Sequence, residues 1–421
     1  MENTLSRKKL FIYILIYKIV IELVYIFQIS PIYSYTGLTL NMNIWNFVIS
    51  FLCFSLIIFM FPKNKSKPST YLYLILNLFL TIPTLSYFWL NNQSIVYTIF
   101  LVLSCLIIAY FLRKRPIEIN INKGIKSANL ILKIIFIFYV LVTLYLIIER
   151  GGIDFRALNF QTIYSLRSEK GFSGILGYLL NWSAKVFFPF FFAYFLYSKK
   201  KWNCTIVLCL QLLLYLSFGF KAYLFSIGML IMVVILMKKN KFERDFTLGF
   251  TLIILLSSAL SRISTILLNS IPFRMIFVPS QIQYQYYDFF KIREKMFFAD
   301  GLIGKVFSVE SPFDVPVPFV IAMHFQGAVS NSNTGVFSDA YSNGGFITMI
   351  LFAIILALIL YLVDSLTERI PPVLVVASLS YMMFVLNDNS LTNALLTGGI
   401  SLMLILLFLF NSNIVYKNNK A

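Results

Sequence analysis

Residues 343–363 read NGGFITMILFAIILALILYLV, an apolar run without a charged side chain. A run of about 20 such residues is the length that an α-helix needs to cross a hydrocarbon core roughly 30 Å thick. A helix satisfies its own backbone hydrogen bonds in lipid, whereas an open sheet edge leaves polar groups unpaired. This segment therefore predicts a transmembrane helix.

Runs of the same kind recur throughout the chain, in which 59% of residues are hydrophobic and 12% are charged. That charged fraction is about half of the value in soluble globular proteins. We therefore predict an all-α polytopic integral membrane protein, with residues 1–421 forming a single transmembrane domain of about 12 helices. The spans are predicted at residues 10–29, 44–62, 71–90, 94–112, 128–148, 178–198, 203–217, 219–237, 247–270, 343–363, 371–388 and 392–410.

Clusters of Lys and Arg lie between the predicted spans, and the net charge is +18. In this map every cluster falls on the same side of the membrane, and cytoplasmic loops are the ones that carry such an excess. Both termini are therefore predicted to be cytoplasmic. Because the positive charges do not gather on one soluble face, the sequence does not indicate nucleic-acid binding. Gly219 interrupts one long apolar run, and a single bent helix there would invert every later assignment.

Two connections on the outward side of this map are long. Residues 149–177 form an Arg-rich outward loop, and residues 271–342 form a large outward loop between the ninth and tenth helices, long enough to hold short helices of its own. Loops beyond about 15 residues are usually functional or disordered. The aromatic and apolar content of both loops favours ordered, functional segments.

The first outward loop contains Arg150, Arg156 and Arg167 within ERGGIDFRALNFQTIYSLRSEKGFSG. The planar guanidinium group matches phosphate oxygens bidentately, so this loop is a candidate pyrophosphate site. The alternative is that these side chains contact lipid head groups or pair with the loop's own acidic residues. Lys221, in the turn SFGFKAYLF, is a second candidate, because an ionisable side chain at the membrane boundary is costly unless it snorkels to the surface.

The large loop opens with Arg274 and a run of Gln, Tyr and Asp side chains that includes Tyr287. Such hydroxyl, amide and aromatic groups suit carbohydrate, although Tyr also anchors proteins at membrane interfaces. Further along, His324 is the only histidine and the first candidate for a general base. Asp339 is the second candidate, and each has a structural alternative: a lone His is often structural, and Asp339 is also suited to capping a helix.

Metal-binding and nucleotide-binding motifs such as HExxH, CxxC and GxxxxGK[ST] are missing from the sequence. We therefore expect neither a metal nor a cofactor. All four cysteines fall in apolar blocks, where a thiol usually behaves as a small hydrophobe, so we expect no disulfide. Within the predicted spans, Lys18 and Glu22 are spaced to pair on one helix face, and Lys133 and Lys185 are further ionisable groups. Proton-driven transporters need such residues near the bilayer midplane, and these are the best support for that alternative, although most lie near the end of a span.

The layout resembles that of the Wzy-type polymerases of bacterial O-antigen and capsule. The resemblance rests on about a dozen spans, the Arg-rich outward loop, the SFGFKAYLF turn, the IPFR and YQYYDFF segments, and NSNTGVFSDAYSNGGFIT entering the membrane. Family members often have Gly-Xaa-Arg where this chain has Gly219-Phe220-Lys221, so a point charge replaces a bidentate group there.

The resemblance implies a GT-C-like fold and a metal-independent glycosyltransferase in the bacterial plasma (inner) membrane. Such an enzyme transfers a glycan from a polyprenyl-pyrophosphate carrier onto a new lipid-linked repeat unit at the outer face. Basic groups would stabilise the leaving pyrophosphate, for which we nominate Arg150, Arg156, Arg167, Lys221 and Arg274. A base would activate the acceptor hydroxyl, for which we nominate His324 and Asp339. The expected partners are lipid-linked oligosaccharides, membrane lipids, a chain-length regulator and a flippase.

Two other functions are compatible with parts of this pattern. An O-antigen ligase would share the fold and the chemistry, and only its acceptor would differ. A polysaccharide flippase or another transporter predicts short outward loops and polar residues near the bilayer midplane, whereas this chain has two long outward loops.

Overall fold

The computed structural model describes residues 5–117, 125–159, 163, 166, 171–239, 241–327 and 330–418. Helices and their connections make up this described part, and no β-strand occurs in it. The all-α class predicted from the sequence is therefore confirmed. In chain order the labelled helices are α1 (Arg7–Thr36), α2 (Ile44–Met60), α3 (Pro68–Leu90), α4 (Ile95–Leu112), α5 (Ala128–Arg150), α6 (Gly174–Tyr197), α7 (Lys201–Phe218), α8 (Lys221–Met237), α9 (Phe242–Leu260), α10 (Val278–Phe290), α11 (Leu302–Phe307), α12 (Val317–Gln326), α13 (Val336–Leu366), α14 (Pro372–Val385), α15 (Leu391–Leu395) and α16 (Ile400–Asn418). A short 3₁₀ turn, Phe155–Leu158, follows α5, and the helical turn Ile266–Leu268 with the π-helical segment Asn269–Phe277 leads into α10.

Eight of the described segments are long and apolar enough to cross a membrane, namely α1, α3, α4, α5, α6, α7, α13 and the α15–α16 segment. The chain is therefore a membrane protein. Four predicted spans do not meet both criteria. Helices α2, α8 and α14 are apolar but shorter, and α9 has Glu243, Arg244 and Asp245 in its first turn. The number of 12 spans and the cytoplasmic termini stay predictions.

Three of the long helices contain a π-helical turn that the sequence analysis did not predict. These turns are Tyr25–Ile29 in α1, Asn77–Thr81 in α3 and Ser183–Phe187 in α6. Each turn ends two residues before a proline, which is Pro31, Pro83 and Pro189 in turn. Proline has no N–H group, and its ring meets the carbonyl group four residues earlier. A wider π-helical turn accommodates the proline without ending the helix.

The chain divides into two compact units. Unit 1 comprises Met1–Arg115, Lys241–Tyr361 and Met383–Thr392, and unit 2 comprises Pro116–Asn240, Leu362–Met382 and Asn393–Ala421. Within unit 1, α1 packs against α9, and α2 packs against α3 and α4. Helix α3 is almost completely enclosed. It therefore forms the centre of unit 1.

A buried ion pair links α1 to α3 within unit 1. Lys18 pairs with Glu22 one turn later, as their spacing predicts. Lys18 Nζ also donates to Ser86 Oγ at 3.2 Å, and Trp89 Nε1 donates to Glu22 Oε1 at 2.8 Å. Both charges are therefore satisfied inside the unit, as buried charges require.

Helices α7 and α8 form a hairpin in unit 2 around Gly219. Gly219 has a φ of +65°, a left-handed conformation that favours glycine. Gln211 on α7 lies opposite Ser226 on α8, and their side chains hydrogen-bond at 3.1 Å. The apolar run therefore folds as two separate helices and not as one bent helix. Tyr215 Oη donates to the carbonyl oxygen of Ala157 at 2.6 Å, which fixes the Arg-rich segment against α7.

Candidate functional site

Helix α10, in unit 1, is rich in polar side chains and yet largely buried. Buried polar groups need hydrogen-bond partners, and three side chains of α10 reach neighbouring elements. Gln283 Nε2 donates to Thr84 Oγ1 at 3.0 Å, and the hydroxyl groups of Tyr284 and Thr98 lie 2.8 Å apart. The Tyr286 hydroxyl donates to the carbonyl oxygen of Ser332 at 3.0 Å. These bonds hold α10 in one position.

The beginning of α13 carries Asp339, the second base candidate. Val336 N donates to the carbonyl oxygen of Leu386 at 3.0 Å, and a Cβ atom on Gly335 would come within 2.6 Å of the carbonyl oxygen of Asn387. The chain is thus packed tightly against residues 386–387. Non-helical backbone angles at Gly344 and Gly345 separate this first part of α13 from the apolar remainder.

The surroundings of Asp339 satisfy its carboxylate only in part. The side chain is partly exposed, but Oδ2 is enclosed and has no hydrogen-bond partner among the described residues. The carboxylate of Asp300 lies near enough to interact with it electrostatically. An enclosed carboxylate oxygen without a partner is costly, so this group is better suited to receiving a proton than to a structural role.

The segment that follows α10 is hydrogen-bonded to this same part of α13. Met296 N donates to the carbonyl oxygen of Ser342 at 2.9 Å, and Phe297 N donates to that of Asn343 at 3.0 Å. Phe298 N donates to Asn343 Oδ1 at 2.7 Å, and Asn343 Nδ2 donates to the carbonyl oxygen of Asp339 at 2.9 Å. Asp339 and the segment after α10 are therefore held together as one local structure.

Three cations precede this junction in the run KIREK, residues 291–295, and each lies over an aromatic ring. Lys291 Nζ is 5.8 Å from the ring centre of Tyr287, Arg293 Cζ is 4.0 Å from that of Phe289, and Lys295 Nζ is 4.4 Å from that of Tyr341. These cations were not predicted as site residues from the sequence, although they directly follow the YQYYDFF segment. Their spacing between aromatic residues was the available signal.

The electrostatic surroundings of two of these cations differ. Lys291 forms an ion pair with Asp288 at 2.7 Å, and this hydrogen bond raises the pKa of Lys291. Partial burial lowers the pKa of Lys295, because removal from water disfavours the charged form. An anion bound beside Lys295 would restore a favourable environment for its charge.

Tyr287 lies in an aromatic cluster beside these cations. Its ring is 5.1 Å from that of Tyr341 and 5.5 Å from that of Tyr97, and the ring of Tyr341 is 4.9 Å from that of Phe346. Successive residues of a helix are about 100° apart, so Tyr341 lies on a different side of α13 from Asp339. The cations and the unpaired carboxylate oxygen of Asp339 therefore lie against different sides of the first part of α13.

The first base candidate, His324, is exposed on α12. Its ring lies edge-on to Phe289 at 5.2 Å and to Phe325 at 4.7 Å, so it shares Phe289 with Arg293. Asp300 accepts a hydrogen bond from Val317 N at 2.7 Å and fixes the beginning of α12. No described carboxylate hydrogen-bonds to His324, so none orients the ring as a general base requires.

The remaining predicted phosphate ligands belong to different units. Arg274 belongs to unit 1, where its side chain is exposed. The others belong to unit 2. Arg150 Nε donates to the carbonyl oxygen of Ser217 at 3.3 Å, and the same guanidinium group bonds the carbonyl of Leu166. Lys221 is partly buried at the beginning of α8, and Arg167 lies outside the described residues.

Arg156 pairs with Asp154 two residues earlier, with Nη2 and Oδ2 separated by 2.6 Å. These hydrogen bonds to Arg156 lower the pKa of Asp154. Arg156 therefore pairs with an acidic residue of its own loop, which was the alternative to a pyrophosphate contact. Arg150 in turn acts as a connector between the loop and the end of α7.

Comparison of the chain with family models, with curated proteins and with solved structures found no match. In the described part of the chain, no three His, Cys, Asp or Glu side chains come together as metal ligands would.

Proposed function

We propose that this chain is a membrane glycosyltransferase that polymerises lipid-linked oligosaccharide repeat units at the outer face of a bacterial inner membrane. The observation that carries the proposal is the carboxylate of Asp339, which is partly exposed and has an Oδ2 atom without a partner among the described residues. The aromatic cluster at Tyr287 and the cations of the KIREK segment support it, because sugars and a pyrophosphate need such surfaces.

In the proposed reaction, Asp339 accepts the proton of the acceptor hydroxyl group. The hydroxyl oxygen forms a bond to C1 of the donor sugar, and the bond from C1 to the phosphate oxygen breaks. The polyprenyl pyrophosphate leaves with the bonding electron pair. Cationic side chains neutralise its developing charge. The unit 2 candidates, Arg150, Arg156, Arg167 and Lys221, stay predictions from the sequence.

Deletion of the gene followed by sizing of the surface polysaccharide tests this proposal. We expect single repeat units in the deletion strain and long chains after complementation with the intact chain. Asp339→Asn preserves the shape of the side chain but removes its basicity, and it should fail to restore long chains. Asp314→Asn is the matched control, because Asp314 is an exposed carboxylate of the same loop, and it should restore them.

Equal amounts of each variant in the membrane are needed, and immunoblotting measures them. Long chains in the deletion strain would contradict the polymerase proposal. Full activity of Asp339→Asn would contradict the assigned role of Asp339 as base and leave His324 as the candidate.

A further inference from the structure

Five buried polar side chains in unit 2 have atoms without hydrogen-bond partners in the part of the chain that the structure describes. One is Asn411 on α16, and the other four lie on α5, α6 and α7. These four are the hydroxyl groups of Tyr139, Thr143 and Ser183 and the Oε1 atom of Gln211. All four residues are fully enclosed, with a relative exposure of 0%. An unpaired group of this kind costs about 1–3 kcal/mol, so four of them in one unit need an explanation.

The packing of α5 against α6 brings three of these groups to neighbouring levels. The ring of Phe136 lies 4.7 Å from that of Phe195, and the ring of Tyr139 lies 5.7 Å from that of Phe187. Residue numbers rise along α5 as they fall along α6, so the two helices are antiparallel. Thr143 lies one turn beyond Tyr139, and Ser183 lies one turn before Phe187. Their hydroxyl groups therefore occupy neighbouring levels.

Gln211 on α7 belongs to the same layer. Its Nε2 donates to the carbonyl oxygen of Ala184 at 3.3 Å and to Ser226 Oγ at 3.1 Å. Ser226 Oγ itself donates to the carbonyl oxygen of Tyr223, so it accepts from the amide of Gln211. These bonds fix the orientation of the amide group, and Oε1 remains as an acceptor. Ala184 follows Ser183 in the π-helical turn of α6.

The balance of donors and acceptors decides the chemistry of the ligand. Three hydroxyl hydrogens and one amide oxygen await partners. A cation would bind the oxygens but leave the hydroxyl hydrogens unpaired, and an anion would accept from the hydroxyl groups but repel Gln211 Oε1. Water both donates and accepts, and internal water typically makes about three such bonds.

We propose that Tyr139, Thr143, Ser183 and Gln211 form an internal water-binding site beside the π-helical turn of α6. Water there supplies the partners that a proline-widened helix and its neighbours lack, as ordered water does where membrane helices are interrupted. The site is independent of the proposed glycosyl transfer, because it rests on unit 2 alone.

Radiolytic hydroxyl labelling in ¹⁸O-water tests this site on the full chain in lipid nanodiscs. Radicals form from water in place, so a buried tyrosine is labelled only when bound water adjoins it. We expect labelling of Tyr139, with slower exchange of the ¹⁸O-water than at Tyr35, which is 81% exposed. Tyr17 is the matched control, because it is equally buried but its hydroxyl group donates to the carbonyl oxygen of Leu78 at 2.7 Å. It should stay unlabelled.

Labelling of Tyr139 no greater than that of Tyr17, or exchange as fast as at Tyr35, would overturn the proposal. Thr143→Val and Ser183→Ala each remove one hydroxyl partner and should lower labelling of Tyr139 severalfold. Ser217→Ala is the control variant, since the Ser217 hydroxyl donates within its own helix to the carbonyl oxygen of Leu213. Unchanged labelling in both site variants would also contradict the site. If a variant does not fold, the comparison of Tyr139 with Tyr17 in the unmodified chain still decides.

Discussion

The ion pair between Lys18 and Glu22 predicts an unusual pattern of mutational effects. Lys18 is 2% exposed and Glu22 is 8% exposed, so removal of either partner leaves a buried charge unpaired. Such a loss typically costs about 3–5 kcal/mol. We expect a loss of that size for Lys18→Met, which strands the carboxylate, and for Glu22→Gln, which strands the ammonium group.

The double variant should be far less damaging than either single variant. Gln at position 22 retains an Oε1 acceptor for Trp89 Nε1, which donates to Glu22 at 2.8 Å. Met at position 18 removes the charge together with the bond to Ser86. The expected net loss is therefore about 1 kcal/mol, the usual value of one hydrogen bond.

Reversible unfolding in mixed detergent micelles measures the four free energies of unfolding in this cycle. A single transition followed by two spectroscopic probes is the control for two-state behaviour. The expected order of stability places the double variant above both single variants. If instead the losses of the single variants add in the double variant, Lys18 and Glu22 do not compensate each other and the interpretation of the pair fails.

Two further predictions concern the Arg-rich segment and the hairpin beside it. Gly219→Ala should lower the stability of the chain by about 1–3 kcal/mol, because a Cβ atom at a φ of +65° would lie 3.0 Å from Ile163 Cγ1. Thermal melting measures this loss. Gly228→Ala is the control and should lose nothing, because the space around Gly228 is open. Ionised Asp154 contributes stability because bonds to Arg156 lower its pKa, so the stability gap between the intact chain and Asp154→Asn should be present at neutral pH and close as acid protonates Asp154. The gap should be small, since the pair is exposed, and a gap that grows on acidification would contradict the sign.

Helix positions followed from the sequence, because an apolar run in lipid has few alternatives to a helix. Gly219 also marked a true helix end. The π-helical turns did not follow, although Pro31, Pro83 and Pro189 were visible, because a proline inside an apolar run indicates a disturbance but not the kind of turn that absorbs it.

The candidate site was only partly predictable. Asp339 and Tyr287 were recognisable by residue type. Their proximity in the structure depends on hydrogen bonds between residues 296–298 and 342–343, which no local sequence pattern encodes. His324 was the first base candidate because histidine side chains in general change charge near neutral pH. In the structure it has aromatic neighbours and no described carboxylate partner. The three cations of the KIREK segment were overlooked because alternating charges resemble an ordinary solvated turn.

The most direct test of the central claim uses the purified chain in liposomes with one defined polyprenyl-pyrophosphate-linked repeat unit as the sole substrate. The proposed function predicts a ladder of lengthening glycans and the release of one polyprenyl pyrophosphate for each bond formed, with both products lost in Asp339→Asn and retained in Asp314→Asn. A substrate that stays a single repeat unit, in a preparation whose folding is verified by melting, would contradict the claim.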